Sequence, residues 1–571
     1  VRYPEFLRHR YRAILGYTGL LSLIASLLIL APLALLPFYP DHTSELWGYL
    51  VPGLVLGLSG FLLWRSLTPR PPVSLSWQEG AVIVVVTWLL VMLVGAIPFI
   101  ATGGLSFLHA LFESTSGWTT AGLSVFDVEG ASPLLLFYRS AIQLAGGAGL
   151  AILMLSALVG PLGPGLSVAE GRTEQLLPHV RRSARLVLTI YAAYIGVGIA
   201  ALRLAGMNWF DAVNHAFSAL STGGFSTHAE SLAYWQSPVI EAVTIILMLL
   251  GTLNFLTAYT AYQGKFRVAL RNSEVRQTAL LILVGSLVLS LGATTGLYVN
   301  MGERVRVAVF NAVSALSTTG FSSVDYGQWT GLGWLVLVVF MLIGGGTGST
   351  AGGIKQHRVY VLYRGLLWEF RRRLLPERVV TEPDVWRGED RVFLSDRHLR
   401  QIALFVFLYL VVFFLGSGII AAHGYPLADS MFEFASSLST VGLSVGVTAA
   451  DAPAGVLWTE MAAMFLGRLE FFAIIVGLIK LTGDVRTLAV SGFQRRLATS
   501  QMARAHRRDQ DLSDAEGTSQ AVGESRSGRS SVSADGGTET TLQLGQESAD
   551  PKLGTPAERG DMSDAREEGE T

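Results

Sequence analysis

Cysteine is absent from all 571 residues. That excludes a disulfide framework, an iron–sulfur cluster and a thiolate metal site, and redox chemistry leaves the compartment unread. Charge is scarce too. Asp, Glu, Lys and Arg make up 15% of the chain against 51% hydrophobic residues, where soluble domains run near a quarter charged. So long a chain with so few charges must hide its apolar surface in lipid. No nucleotide-binding motif, nucleophile elbow or catalytic dyad with a structural context occurs, which argues against an enzyme and leaves no organic cofactor to expect in this chain.

What is present is a succession of apolar runs of about 20 residues, long enough to cross a bilayer core. Residues 17–36, 81–100 and 399–420 are examples. The run near Tyr17 reads as a span, because it is too long for a cleaved signal peptide, lacks a small-residue cleavage site and precedes further spans. Basic residues cluster in alternate loops: Arg8, Arg10 and Arg12; Arg65 and Arg70; Arg172, Arg181, Arg182 and Arg185; Lys265, Arg267 and Arg271; the stretch from Lys355 to Arg400; then Arg486, Arg495 and Arg496. The positive-inside rule puts these in the cytoplasm with both termini. About ten spans result, near 13–37 and 46–65, then four pairs: 80–101 with 134–158, 184–206 with 238–262, 275–299 with 332–363, and 397–421 with 456–480. From Asp509 onward stand 15 acidic and 5 basic residues and no aromatic one, so this tail carries −10 and the remainder +9. Such a composition cannot bury enough apolar surface to order itself, and 491–571 is expected to be a disordered cytoplasmic tail.

Each pair of spans encloses a short, weakly apolar segment. The four read Ser116-Gly-Trp-Thr-Thr-Ala-Gly-Leu-Ser124, Ser218-Ala-Leu-Ser-Thr-Gly-Gly-Phe-Ser226, Ser314-Ala-Leu-Ser-Thr-Thr-Gly-Phe-Ser322 and Ser436-Ser-Leu-Ser-Thr-Val-Gly-Leu-Ser444. Any one copy is an ordinary Ser/Thr/Gly turn. Four copies, each after an apolar half-helix and between two spans, are an internal repeat. Polar, glycine-bearing backbone at membrane depth is tolerated where it lines a cavity or is buried in protein. Glycine lets successive carbonyls turn toward one axis, and a ring of carbonyls can replace the hydration shell of a monovalent cation. The preceding segments, such as 105–117 and 210–220, can be short helices whose C-terminal ends aim negative dipole at the ion.

This pattern of span, pore helix, Thr-x-Gly filter and span, four times over, resembles the Trk/Ktr/HKT superfamily of potassium transporters. The extra N-terminal pair resembles the bacterial Trk-type membrane subunit. The resemblance covers roughly residues 1–490. It implies an all-α polytopic protein of the cell (inner) membrane, with two N-terminal transmembrane helices (1–70) and four repeats around one pore (71–165, 166–270, 271–370 and 397–490), a basic cytoplasmic linker at 371–396 and the tail from 491. It implies a potassium-binding selectivity filter at Thr120, Ala121 and Gly122; Thr222, Gly223 and Gly224; Thr318, Thr319 and Gly320; and Thr440, Val441 and Gly442. Potassium would be the transported ion and the only bound metal. Ser in place of the first glycine goes with sodium transport in related members, so Gly122 favours potassium; Ala121 departs from the frequent Thr. The family works as a homodimer with a cytosolic ring of nucleotide-binding (TrkA-like) regulatory subunits, and both are expected here. The basic loops also suit anionic lipid; nothing points to nucleic acid.

The third repeat holds Gly344-Gly345-Gly346-Thr347-Gly348-Ser349-Thr350-Ala351-Gly352-Gly353-Ile354-Lys355. It is not a Walker loop, which needs Gly-Lys-Ser/Thr after a strand. A small-residue packing face is the plain alternative, but so many glycines weaken a helix and favour a break. The family has a closely similar stretch that forms an intramembrane loop acting as a gate beneath the filter. Arg468 lies well inside the last span, where a charge is costly and usually functional. Either it pairs with Glu470 or, as the resemblance implies, it stands below the filter as an electrostatic barrier, with Lys355 adding to it. Arg139 and Gln143 also resemble the family, and Arg139 is expected to brace the first filter. Asn254 suits polar packing. His215 and His228 flank the second filter without a metal-ligand spacing. The alternative to a potassium pore is a secondary transporter of another solute, which commonly uses inverted repeats; here the four share one topology. Channel and ion-coupled symporter are not separable from sequence.

Overall fold

The computed structural model describes residues 3–69, 75–148, 180–376, 382–387, 390–469 and 471–524. The end of the expected span 134–158, Glu470, and the chain beyond Glu524 lie outside them. Residues 1–492 form one compact unit and a second begins at Phe493.

The chain opens with α1 (Tyr3–Leu30) and α2 (Leu46–Leu67), packed lengthwise on each other. The next segment is α3 (Trp77–Gly95) with the short α4 (Ile97–Ala101). A reciprocal box starts α3: the Ser76 hydroxyl accepts from the Glu79 N–H, and the Glu79 carboxylate accepts from the Ser76 N–H. Glu79 also takes Arg10 of α1 as its ion-pair partner. Then come α5 (Phe107–Thr119) and α6 (Pro133–Ala148); α7 (Val180–Leu204), α8 (Trp209–Leu220), α9 (Pro238–Thr252), α10 (Phe255–Tyr262) and α11 (Phe266–Arg271); α12 (Ser273–Val288), α13 (Met301–Leu316), α14 (Gly331–Ile343) and α15 (Gln356–Leu374). A hairpin of β1 (Asp384–Arg387) and β2 (Asp390–Phe393) precedes α16 (Asp396–Ala422), α17 (Leu427–Leu438), α18 (Ala454–Leu469) and α19 (Phe471–Glu524).

Among the described residues, six helical stretches are long and apolar enough to cross a membrane by themselves, and two more cross if each bent pair is one span. The short helices α5, α8, α13 and α17, of 13, 12, 16 and 12 residues, cannot; at 1.5 Å per residue even the longest falls short of a core of about 30 Å. Their starts are local chemistry: Ser106, Asn208 and Asn300 each accept a backbone N–H at the first turn, and α17 follows Pro426.

The expected spans 238–262 and 456–480 are not continuous, and 332–363 is interrupted where its glycines favour a break. Between α9 and α10 the chain bends by 111°, where the Asn254 side chain caps the new helix by accepting from the Leu256 N–H, 2.8 Å away. Between α18 and α19 the bend is 103°, and between α14 and α15 the glycine-rich stretch 344–355 replaces helix altogether. The basic linker carries an antiparallel hairpin that buries Val385 against Val361, Leu394 and Ile402, while Arg364 pairs with Asp384 at 3.1 Å. It is also the one departure from all-α structure among the described residues. Finally, α19 continues to Glu524, so 491–524 is helix where disorder was expected; it is rich in straight-chain helix formers and has no proline.

Candidate functional site

The four motifs adopt one backbone design. Each follows the C-terminus of a short helix, and in each the leading threonine is left-handed: Thr120, Thr222, Thr318 and Thr440 have φ of 58°, 53°, 55° and 52°. Only local over-determination holds a β-branched residue there. The residue after each threonine supplies it, donating its N–H back to the first serine of the motif: Ala121 to the Ser116 carbonyl, Gly223 to Ser218, Thr319 to Ser314 and Val441 to Ser436, all at 2.8–3.0 Å. The following glycines are left-handed again.

Those glycines meet one another. A methyl group on Gly122 would stand 2.3 Å from the Gly223 carbonyl oxygen, on Gly224 2.2 Å from that of Thr319, on Gly320 1.8 Å from that of Val441, and on Gly442 2.7 Å from that of Ala121. The approach is cyclic, first to second, second to third, third to fourth and fourth to first. Any side chain would break the ring. All four glycines, with Ser124, Ser226, Ser322 and Ser444, line one cavity of about 540 Å³ that Arg139, His228, Glu230 and Asp325 also face.

The middle residue differs in each motif, and so does what lies behind it. Ala121 belongs to an apolar cluster with Phe112, Leu123, Met461 and Met464. Gly223 leaves space that Gln143 fills: its amide donates to the Gly223 carbonyl at 2.6 Å and accepts from Ser218 and from the Phe225 N–H. The Thr319 hydroxyl meets Ser317 at 2.7 Å, and Val441 is buried among apolar neighbours.

A set of residues missed by reading the motifs alone stands three positions before each first serine. Glu113 accepts from the Ser124 hydroxyl and the Val125 N–H, both at 2.7 Å. Glu433 accepts from the Ser444 hydroxyl and the Val445 and Thr448 N–H groups. Asn311 donates to Ser323 at 3.1 Å and accepts from Tyr326. His215 lies 2.9 Å from the Asp211 carbonyl, which can only accept, so Nδ1 carries the proton and Nε2 accepts from Ser226 at 3.1 Å. Each clasps the strand leaving the motif. One more helical turn in the repeat alignment exposes the signal: a polar residue at one fixed place on four apolar helices.

Arg139 spans two repeats. It contacts Glu113 at 3.3 Å, Ser124 at 2.8 Å and the Ser226 carbonyl at 3.4 Å, and lies over the Phe225 ring at 4.0 Å. It is 2% exposed. Of the flanking histidines, His228 stacks on Tyr234 and approaches Asp211 at 3.5 Å.

Beneath the motifs runs the glycine-rich stretch. Gly344, Gly348, Gly353 and Lys355 all have positive φ. Its backbone satisfies the groups freed by the break at Asn254: Gly346 donates to the Thr252 carbonyl at 3.1 Å, Thr350 to Gly251 at 3.3 Å, and Phe255 to Gly348 at 3.4 Å. Gly345 accepts from Gln356, Thr347 donates to the Glu274 carboxylate at 3.1 Å, and Ser349 donates to Gly346. The stretch also touches the motifs from below. The Thr350 hydroxyl meets the Leu220 carbonyl and receives the Thr222 hydroxyl, and Gly352 donates to the Thr318 hydroxyl at 2.7 Å. A methyl on Gly352 would be 2.0 Å from the Ser439 carbonyl oxygen. By contrast, the buried hydroxyls of Thr120 and Thr440 have no partner among the described residues.

Arg468 reaches the same place from α18. It donates to the Thr350 carbonyl at 2.8 Å and to the Gly146 and Gly147 carbonyls at the end of α6. Lys355 donates to the Ala351 carbonyl. Pairing of Arg468 with Glu470 falls outside the described residues.

Comparisons with known proteins agree with one another. The sequence profile of a family described as TrkH, a cation transport protein, matches residues 58–484. The chain is similar to an uncharacterized cation transporter of Methanocaldococcus jannaschii, 30% identical over 471 residues, which are 81% of this chain and 94% of that one. It is similar to the Trk system potassium uptake protein TrkH of Halomonas elongata, 30% identical over 482 residues, 81% and 98% of the two chains. Its fold matches the crystal structure of the potassium transporter TrkH from Vibrio parahaemolyticus with a TM-score of 0.71 and 28% identity, over 82% of this chain and 98% of that one.

Proposed function

The chain belongs to the TrkH family of cation transport proteins, and on that premise we propose that it takes up potassium across the cell membrane through one pore built by its own four repeats. The observation that carries the reading is the cyclic approach of Gly122, Gly224, Gly320 and Gly442 to the next repeat's carbonyl. Four alternating left-handed turns around one axis can present rings of carbonyl oxygen to a dehydrated cation. Thr120, Ala121, Thr222, Gly223, Thr318, Thr319, Thr440 and Val441 complete the filter. The hydroxyls of Thr120 and Thr440, without a partner among the described residues, suit an ion at its lower end. The ion is cargo, with no resident metal needed.

Gly344–Lys355 and Arg468 form the gate in this reading. Closure rests on the loop's bonds to Thr222 and Thr318 and on the Arg468 fork, whose fixed charge opposes a cation below the filter. The repeat boundaries at 71–165, 166–270, 271–370 and 397–490, cytoplasmic termini, a homodimer and a cytosolic nucleotide-binding regulatory subunit belong to the same proposal. Co-purification from the native membrane that yields neither dimer nor soluble subunit would remove those last two.

Expressed in cells lacking their own potassium uptake, the protein should restore growth at low potassium and take up rubidium. Uptake competed by organic solutes, with no rubidium flux, would overturn the reading. Gly122→Ser should lower the potassium-to-sodium permeability ratio, because any Cβ there displaces the Gly223 carbonyl. An unchanged ratio in relative flux assays would remove Gly122 from the filter.

A further inference from the structure

Two carboxyl groups meet behind the fourth motif with no cation paired to them among the described residues. Glu433 on α17 and Glu460 on α18 are both fully buried. One threonine joins them: the Thr448 N–H donates to Glu433 at 3.1 Å, and the Thr448 hydroxyl lies 3.1 Å from each oxygen of Glu460. Glu433 has two further donors, the Ser444 hydroxyl at 2.7 Å and the Val445 N–H at 3.0 Å. Among the described residues Glu460 has only the one hydroxyl, whose single proton can serve one oxygen at a time.

Besides the two acids, α17 carries Asp429, and α18 carries Arg468, two turns beyond Glu460, which donates to the Thr350 and Gly147 carbonyls. Tyr425, ahead of α17, sits within the field of Glu433, Glu460 and Asp451. On α5, which packs against α18, Glu113 is committed to Arg139, and His109 is the other titratable group. From α16 come Tyr409, bonded to Ser439, and beyond its end His423, bonded to Ile419; Asp396, Arg397, His398 and Arg400 stand at its opposite end. The packed α14 holds no titratable residue. Among the described residues no Lys, Arg or His pairs with either acid.

A buried carboxylate keeps its charge when several donors point at it, and a second one beside it cannot also ionise without a cation. We propose that Glu433 and Glu460 hold one proton between them, carried by Glu460, and that this proton keeps the strand after the fourth motif in place. Glu433 remains the anion that clasps Ser444, Val445 and Thr448. Removing the proton sets two like charges against each other across Thr448, and the clasp gives way. The effect on flux rests on the filter reading of Thr440–Gly442; the proton itself does not.

The test is infrared difference spectroscopy of the full chain in lipid, paired with rubidium uptake. At neutral pH the wild type should show the C=O stretch of a protonated carboxylic acid, shifted in heavy water, and Glu460→Gln should abolish it. Absence of the band, or its survival in E460Q, overturns the proposal. So does a band that emerges only when potassium and sodium are replaced by choline, since a bound cation would then be neutralising the pair. Should E460Q fail to fold, Thr448→Ala should shift the band without removing it; an unmoved band refutes the assignment. In alkaline medium uptake should fall as the band is lost, and E460Q should flatten that profile. A band that behaves as expected in a protein without rubidium uptake supports the proton pair and counts against the transport reading alone.

Discussion

In the first repeat Glu113 clasps Ser124 and Val125 and is answered by Arg139, 3.3 Å away. In the fourth, Glu433 clasps Ser444 and Val445 in the same way and is answered through Thr448 by Glu460. Arg139 comes 17 residues after Gly122 and Glu460 18 after Gly442, so the two occupy matching turns of their second helices, one residue apart. The clasp itself is common, because any loop leaving a left-handed turn has N–H groups to satisfy and an acid on the adjacent helix can take two of them. How that acid is balanced is free to differ: a fixed cation in one repeat, a proton in the other. Backbone design has been kept across the repeats where electrostatic support has not.

The sharpest way to break the comparison is to neutralise each clasping acid. Glu113→Gln leaves Arg139 charged and buried without its partner, which costs about 3–5 kcal/mol. Glu433→Gln exposes no cation; it loses one acceptor oxygen among several donors, at about 1–3 kcal/mol. Thermal unfolding in lipid nanodiscs should therefore rank Glu113→Gln as the more damaging by a wide margin. Equal losses would mean that Arg139 does not neutralise Glu113, and the two repeats would no longer differ in kind.

A second way is through Arg468, the fourth repeat's own fixed cation. Its fork goes to the carbonyls of Thr350 in the glycine loop and of Gly146 and Gly147 in the first repeat. The charge that the first repeat uses to hold the strand after its motif is, in the fourth, set beneath the motifs and tied to the loop. Arg468→Ala should raise basal rubidium flux without partner proteins. Arg468→Lys should fall between, because an ammonium cannot bridge carbonyls with a planar fork. Reduced or unaltered flux in a well-expressed Ala variant would show that the fork does not help keep the pore shut.

Much of this was legible in the sequence and some of it could not be. Repetition of Ser, Thr and Gly at fixed spacing located the four turns, and they came together as a ring because each needs a glycine where the next strand passes. The glycines at 344–355 already favoured a break in the third repeat's second helix; the bends in 238–262 and 456–480 were harder. Asn254 and the loop at 344–355 are each tolerable only because the other satisfies its backbone, as when Gly346 donates to Thr252. That reciprocity between residues nearly a hundred positions apart leaves no periodic trace. The roles of Glu113 and Glu433 were hidden for another reason: a lone acid on a short apolar helix has no reading until the strand it clasps has folded back beside it. Glu460 was hidden more deeply, since nothing in its local sequence marks it as the counterpart of Arg139.

The smallest expected effect sharpens the comparison most. Glu460→Gln replaces a neutral acid by a neutral amide of the same shape, which still offers Thr448 a donor group and an acceptor oxygen, with one N–H more than the acid's single O–H. No charge is removed and none is stranded, so the folded state at neutral pH should change by about 1 kcal/mol or less. The same chemical substitution thus costs most at Glu113, less at Glu433 and least at Glu460, although all three side chains are fully buried. Burial cannot produce that order; only the partner of each acid can. If unfolding of Glu460→Gln instead moved as far as that of Glu113→Gln, Glu460 would be an anion with a cationic partner of its own, and the fourth repeat would be balanced by the first repeat's device after all.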